Sequence, residues 1–297
     1  MTDYLLRSLL FVPGHNDRLL ESAGKSDADV LLLDVEDSVQ PQVNKEVART
    51  KITNHVLQGS FKHHLVFPRV NDRESGELLK DLLALTIKGI HGFVYPKSRT
   101  GEDIYFFDKL LETIEYEKNF AIGTFKIIPL IETAAAVLNA QDICKASKRV
   151  IAIAYGCEDF IADLEGIHDT AHTSLFVPRA LIAMAARANG VVPIDTVHIN
   201  VHDLGDLEQN LVVAKNLGFE GMLVLHPKEL TLVHKYFSPT NQEVEEAKEM
   251  LHLANSANIE GKGVAIMNGR FVGPPMVISA KKTLQKHSLI NSKGTYE

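Results

Sequence analysis

Two cysteines, Cys144 and Cys157, are all that the 297-residue sequence contains. They have no zinc-like spacing, and two thiols do not build a disulfide framework. A reducing compartment, most simply the cytosol, is the expectation. Cys157 is read as a small buried side chain, with a redox-sensitive thiol as the alternative. No apolar run approaches the roughly 20 residues that a membrane-spanning helix needs. Residues 1–10 lack the charged start, apolar stretch and cleavage site of a signal peptide. Positive charge is not in excess, since the formal net charge is -7 at pH 7. Proteins that grip nucleic acid by counterion release are usually basic, so that partner class is not expected. There is no Walker or dinucleotide fingerprint, no nucleophile elbow with its partners, and no internal repeat.

What is present is a regular alternation. With 45% hydrophobic and 23% charged residues, the chain can bury a large core. Eight short apolar runs each rise out of a helical stretch: Ser8–Pro13, Val30–Asp34, Leu65–Arg69, Gly92–Lys97, Lys126–Glu132, Val150–Tyr155, Thr196–Val201 and Met222–His226. They are near-continuously apolar, as strands covered on both faces are. The gaps between them are long enough for helical crossovers. This pattern predicts an α/β protein, a (β/α)8 TIM barrel, over residues 1–238. Thr100 and Asp103 predict a helix start, as does Pro178 for a helix Val177–Asn189. The stretch Ile161–Leu175 reads as an active-site loop. Residues 239–297 read as a C-terminal helix–hairpin–helix appendage. Thr240 and Glu243 form its capping box, Asn268-Gly269 its hairpin turn, and Pro274-Pro275 its second helix start. It is too small for its own core, so it is expected to dock on the barrel or on a neighbouring subunit.

A barrel puts its chemistry at the C-terminal ends of its strands, and most of these runs end in charged side chains. Glu132 ends the fifth and Asp159 follows the sixth, so the two carboxylates could converge. Such a pair, with waters and substrate oxygens, suits Mg2+. Alternatively each caps the helix that follows it, and Glu158 has the same choice. Arg69 ends the third run and could grip a carboxylate or offset enolate charge; the alternative is a salt bridge to Asp34 or Glu36. Lys97 ends the fourth run with similar options. Asp34, Glu36 and Asp37 crowd the second, and carboxylates this close should raise at least one pKa into the range of a general base. His198 and His202 make a weak zinc pair, and His226 ends the eighth run. The turn at Gly14-His15 could receive a phosphate, with Arg18 and Lys25 as charge partners.

At Arg7–Gly14, Leu33–Val39, Arg69-Val70-Asn71, Pro96-Lys97, Ile131-Glu132-Thr133, Gly156–Phe160, His226-Pro227 and Asn268-Gly269-Arg270, the chain resembles the citrate lyase β-subunit family. That family belongs with the malyl-CoA and citramalyl-CoA lyases of the HpcH/HpaI aldolase superfamily. The resemblance implies a barrel assembled as a trimer or hexamer. It implies Mg2+ on Glu132 and Asp159, Arg69 on the substrate carboxylate or enolate, and Glu36 and Asp37 as the acidic pair near the reacting hydroxyl. Arg18 and Lys25 would lie where relatives meet the acyl-carrier nucleotide. One position departs: Gly273 stands where relatives carry an aspartate before the tail proline. The implied activity is Mg2+-dependent carbon–carbon cleavage of a 3-hydroxy-acyl thioester, citryl-, malyl- or citramalyl-like, presented by CoA or an acyl carrier. The alternatives are a metal-dependent aldolase for free hydroxy-keto acids and a catalytically impaired ligand-binding member.

Overall fold

The computed structural model describes residues 4–167, 173–259, 265–267 and 270–293. Eight parallel strands form one sheet: β1 Ser8–Pro13, β2 Val30–Asp34, β3 Leu65–Val66, β4 Gly92–Tyr95, β5 Lys126–Ile131, β6 Ala152–Tyr155, β7 Val192–Asp195 and β8 Gly221–Val224. Their order is β3-β2-β1-β8-β7-β6-β5-β4. The sheet closes through Arg69, which bridges to Asp34 on one side and to Val94 on the other. Helices surround it, giving the expected (β/α)8 barrel.

Alternate residues of each strand serve two apolar layers. Leu9, Leu32, Phe67, Ile128, Ala154, Ile194 and Leu223 fill the barrel. Leu10, Leu31, Phe93, Ile127, Ile153 and Val224 face the helices. Both faces being buried explains why the runs lack polar alternation.

Two strands differ from the sequence reading. The third run pairs regularly with β2 only over Leu65–Val66, and Pro68 has no N–H to give the β4 side. Its line continues as single bonds, Phe67 N–H to Leu31 O at 2.9 Å and Arg69 N–H to Leu33 O at 3.0 Å. The seventh strand is Val192–Asp195, not Thr196–Val201. Pro193 disguises it, since proline within a run argues against a central strand. The barrel tolerates it: Val192 N–H bonds Ile151 O at 3.0 Å, and Pro193 O accepts from Glu220 N–H at 3.0 Å.

The connection after β6 also differs. Helix Cys157–Asp163 occupies the start of the expected loop, and helix Thr173–Ala188 begins before Leu175, with Pro178 inside it, not at its first turn. The remainder, 168–172, lies outside the described residues. Helix Gly101–Glu117 starts as expected, with Asp103 accepting from Thr100 N–H at 2.9 Å.

In the tail, helix Asn241–Ile259 is opened by the expected box: Thr240 N–H donates to Glu243 at 2.7 Å, and Glu243 N–H to Thr240 Oγ1 at 3.1 Å. Strands β9 Ala265–Met267 and β10 Arg270–Val272 pair antiparallel, and their Asn268-Gly269 turn lies outside the described residues. Helix Pro274–Asn291 follows. A small cluster of Ala257, Met267 and Val272 joins these pieces. Just after the last helix, Lys293 Nζ lies 3.1 Å from the buried Asp29 carboxylate, tying the tail to the barrel floor. No helix among the described residues is long and apolar enough to cross a membrane.

Candidate active site

The carboxyl ends of β1, β2, β5, β6 and β8, with Arg69 beyond β3 and Val197 and Ile199 beyond β7, surround a cavity of about 320 Å³. Phe11, Asp34, Arg69, Glu132, Glu158 and Asp159 are in its wall. Glu132 is 3% exposed. Its Oε2 accepts the Lys97 backbone N–H at 2.8 Å. Lys97 reaches that position with φ 53°, a left-handed conformation uncommon outside glycine and concentrated at functional sites. On the other side, Gly156 leaves room: a Cβ there would lie 2.5 Å from Glu132 Cγ.

Glu132 does not cap the helix after it. That helix is capped by Thr133, which accepts from Ala136 N–H at 3.1 Å, and by Asp163, which accepts from Ala134 N–H at 2.8 Å. Burial, with the negative charges of Asp159 and Asp37 adding to it, pushes Glu132 up to about 7 against the pull of the Lys97 N–H and Arg69. Asp159 is exposed, in the first turn of helix Cys157–Asp163, where the helix dipole also favours a negative charge.

Arg69 is held as a fork. Its Nε and Nη2 each lie 2.7 Å from one oxygen of Asp34, the bidentate arrangement that the planar guanidinium matches. Its Nη1 lies 3.1 Å from Glu36 and 3.4 Å from Asp37, and its carbon sits 4.9 Å over the Phe11 ring. Burial works against Asp34's charge, but Arg69 outweighs it and holds Asp34 below the usual carboxylate range. Burial likewise opposes the charge of Arg69, and Asp34, Glu36 and Asp37 together more than offset it. Lys97 Nζ lies 2.9 Å from Glu36. Burial pushes Glu36 up to about 8, with Asp37 and Glu132 adding to it against Arg69 and Lys97. One member of the acidic cluster is thus raised, as crowding alone suggested.

Below this rim lies a support that the sequence reading did not find. Lys45 Nζ donates to Val35 O and Glu36 O, each at 3.2 Å, and to Asn71 Oδ1. Asn71 Nδ2 donates to Val35 O at 2.9 Å and to Asp81 at 2.7 Å. Arg49 joins Asp81 and Glu77, each at 2.8 Å. The network fixes the loops that carry Glu36 and Arg69. Asn71's place in the Arg69-Val70-Asn71 motif was its only trace in the sequence.

The remaining candidates lie elsewhere. Arg18 and Lys25 are exposed on, and just past, helix Asp17–Ala23, outside the cavity wall. The cation at that turn is Lys51, 3.1 Å from His15 O and 2.6 Å from Asp17. Gly14 is there because the turn hugs β2: its N–H bonds Asp34 O at 2.8 Å, and a Cβ would meet that oxygen at 2.7 Å. His226 caps the turn after β8, accepting from Lys228 N–H at 3.1 Å. His198 bonds Asp206 at 2.9 Å. Among the described residues no group of three His, Cys, Asp or Glu side chains is placed to hold a metal. Cys157 is buried, and burial pushes its thiol up to about 12, so it is not a nucleophile at neutral pH.

Two carboxylates facing one cavity, one of them buried and raised, fit a hard divalent cation that keeps several waters. The donor set is too small for zinc, which takes nitrogen and sulfur ligands in closed or three-protein-ligand sites. Fold and site define a (β/α)8 barrel with an acidic, arginine-bearing mouth. The family model described as HpcH/HpaI aldolase/citrate lyase matches residues 7–227, and the chain belongs to that family. It is 31% identical over 282 residues to citrate lyase subunit beta of Haemophilus influenzae, covering 95% of this chain and 97% of that one. It is 30% identical over 292 residues to L-malyl-CoA/beta-methylmalyl-CoA lyase of Rhodobacter capsulatus, covering 90% of each. Among solved structures, Mycobacterium tuberculosis CitE in complex with magnesium, acetoacetate and coenzyme A matches in fold. Its TM-score is 0.74 at 23% identity, covering 97% of this chain and 100% of that one.

Proposed function

We propose that the protein is a Mg2+-dependent carbon–carbon lyase that cleaves a 3-hydroxy-acyl thioester into an acyl thioester and a 2-keto acid. The observation that carries the reading is Glu132, buried at the end of β5 and aimed by the Lys97 N–H into a cavity shared with Asp159 and Arg69. Membership of a lyase family supports it, as do magnesium and coenzyme A in the CitE complex. Mg2+ would be held by Glu132 and Asp159, with waters and substrate oxygens completing its shell. When bound it would polarise the substrate oxygens and offset negative charge as the bond breaks.

The chain's own residues do the rest. The Glu36–Asp37 cluster takes the proton of the 3-hydroxyl; Glu36, which burial raises to about 8, is the base through its ionised fraction, which grows as pH approaches 8, and such a base contributes roughly 10²–10⁴-fold in rate. The hydroxyl oxygen becomes the carbonyl of the 2-keto acid as the carbon–carbon bond breaks. The bond's electron pair stays on the thioester α-carbon as an enolate, and a proton delivered there completes the acyl thioester. Arg69, fixed by Asp34, places its positive charge beside the departing carboxylate or enolate, and Lys97 adds a second cation. Arg18 and Lys25, both exposed, would meet the nucleotide of the carrier. The assembly is a homo-oligomer, a reading supported by Ile266 and Phe271 on the tail hairpin, 60% and 70% exposed. The test is 2-keto acid release from citryl-, malyl- and citramalyl-CoA with Mg2+, against the free hydroxy acids. Release from the free acids alone would overturn the thioester assignment.

A second reading, a ligand-binding member with impaired catalysis, is favoured by Gly273. That residue caps helix Pro274–Asn291 without a side chain. A Cβ there meets only Pro275 Cδ, at 3.7 Å, so aspartate fits. Turnover that stays at zero in wild type and in Gly273→Asp would favour this reading.

A further inference from the structure

A second cavity, about 350 Å³, lies at the opposite end of the barrel, between the floor and helix Pro274–Asn291. Residues preceding β1, β7 and β8 form one wall, including Leu5, Leu6 and Glu220. The other wall is one face of the helix, where Ser279, Lys282, Thr283, Lys286 and Leu289 recur at helical spacing. Tyr4 and Tyr236 add aromatic surface.

The charges in this wall do not balance. Among the described residues of this wall, Arg187, Lys215, Lys282 and Lys286 are set against Glu220 and Glu243. Glu243 is committed to capping, as acceptor from Thr240 N–H at 2.7 Å. Glu220 serves several cations at once: burial opposes its charge, and Lys286, Arg187 and Lys282 together hold it below its ordinary range. Lys286 Nζ donates to the Glu220 backbone oxygen at 3.2 Å. Burial, with Arg7 and Arg187 adding to it, brings Lys286 down to about 8 against Glu220 and Asp29. Arg187 already pairs with Glu220, and Arg7 with Asp29, so the negative charge beside the lysine is matched by those two arginines, and an added anion relieves the cost of burying the lysine's charge. None of these residues borders the active-site cavity.

We propose that this floor cavity binds a phosphate-bearing organic anion, its phosphate on Lys282 and Lys286 and its body against Tyr4, Tyr236 and Leu289. Cations supply the anion contacts, and the aromatic and aliphatic wall gives a flat organic group a surface to lie on. Because one wall is the tail helix and the other the barrel, the bound anion clamps tail to barrel.

Calorimetric titration of the full chain with ADP, inorganic phosphate and citrate tests this. The expected result is ADP binding with a Kd of about 1 mM or tighter, phosphate weaker, and a higher melting temperature with ADP. Lys282→Gln, an exposed position that leaves the fold intact, should weaken ADP about tenfold or more, the worth of a charge-assisted hydrogen bond. Glu132→Gln and the double variant Arg18→Gln/Lys25→Gln should leave ADP binding unchanged, which separates this site from the active-site cavity and from the proposed carrier-nucleotide contact; loss of ADP binding in the double variant would overturn the proposal. Absence of ADP binding to folded protein, binding unaltered by Lys282→Gln, binding lost in Glu132→Gln, or citrate binding as tightly as ADP would each overturn the proposal.

Discussion

Replacing Gly156 by alanine tests how closely the metal-facing carboxylate is fitted. The new Cβ would lie 2.5 Å from Glu132 Cγ and 3.0 Å from Oε1, closer than packed atoms allow, so something must move. Gly156 sits at φ -100° and ψ 89°, which alanine adopts without strain. The displacement therefore falls on Glu132, whose carboxylate must swing off the Lys97 N–H that it accepts at 2.8 Å. A hydrogen bond to a charged group is worth about 1.5–3 kcal/mol, and every 1.4 kcal/mol is tenfold in affinity. Mg2+ affinity should therefore fall by about 10- to 100-fold. Overpacking would cost about 1–3 kcal/mol of stability, so the variant stays folded. Calorimetric titration with MgCl2, beside a thermal melt by circular dichroism, measures both. Mg2+ binding indistinguishable from wild type would refute the fit between Gly156 and Glu132.

Other outcomes follow from the same geometry. Glu132→Ala and Asp159→Ala should each abolish Mg2+ binding with the fold intact, measured by the same titration; tight binding by either would count against the ligand assignment. With Glu132 raised to about 7, a proton competes with the cation, so Mg2+ affinity should climb as pH rises through about 7; a flat profile would contradict this. Glu36 keeps its proton in the folded state up to about 8, against 4.5 ordinarily. Between those values the folded chain holds a proton the unfolded chain has lost, so this group makes stability fall as pH rises; denaturant titrations of Glu36→Gln should show a shallower fall. Arg69→Ala leaves the buried Asp34 carboxylate without its cation and should cost about 3–5 kcal/mol, whereas Arg69→Lys, which keeps the charge and loses the fork, should cost less. Equal melting temperatures for wild type and Arg69→Ala would disprove the pairing.

The barrel was legible because its two apolar layers leave near-continuous hydrophobic runs between helical stretches, and run ends carry the functional groups. Glu132, Asp159 and Arg69 could be placed on one rim from strand order alone. The seventh strand was misplaced because Pro193 reads as a breaker, although the parallel ladder asks no hydrogen bond of its nitrogen. The third was overextended as a regular strand: beyond Val66 its line continues only as single bonds. Lys45, Asn71, Asp81 and Arg49 escaped notice because their contacts join positions 9 to 36 apart, a separation that leaves no periodic signal. The bidentate Arg69–Asp34 pair was one of two readings of the same arginine, and only geometry shows Nε and Nη2 held by Asp34 while Nη1 is turned toward Glu36 and Asp37. Gly156 entered the sequence reading only within the Gly156–Phe160 segment, yet its missing side chain is the space that Glu132 occupies.

The most direct measurement is anomalous diffraction from crystals grown with Mn2+, which takes the same hard oxygen ligands as Mg2+. The account expects one strong peak in the barrel mouth, bonded to Glu132 and Asp159 and lost in Asp159→Ala. A peak away from those two carboxylates, or one that survives the substitution, would contradict it.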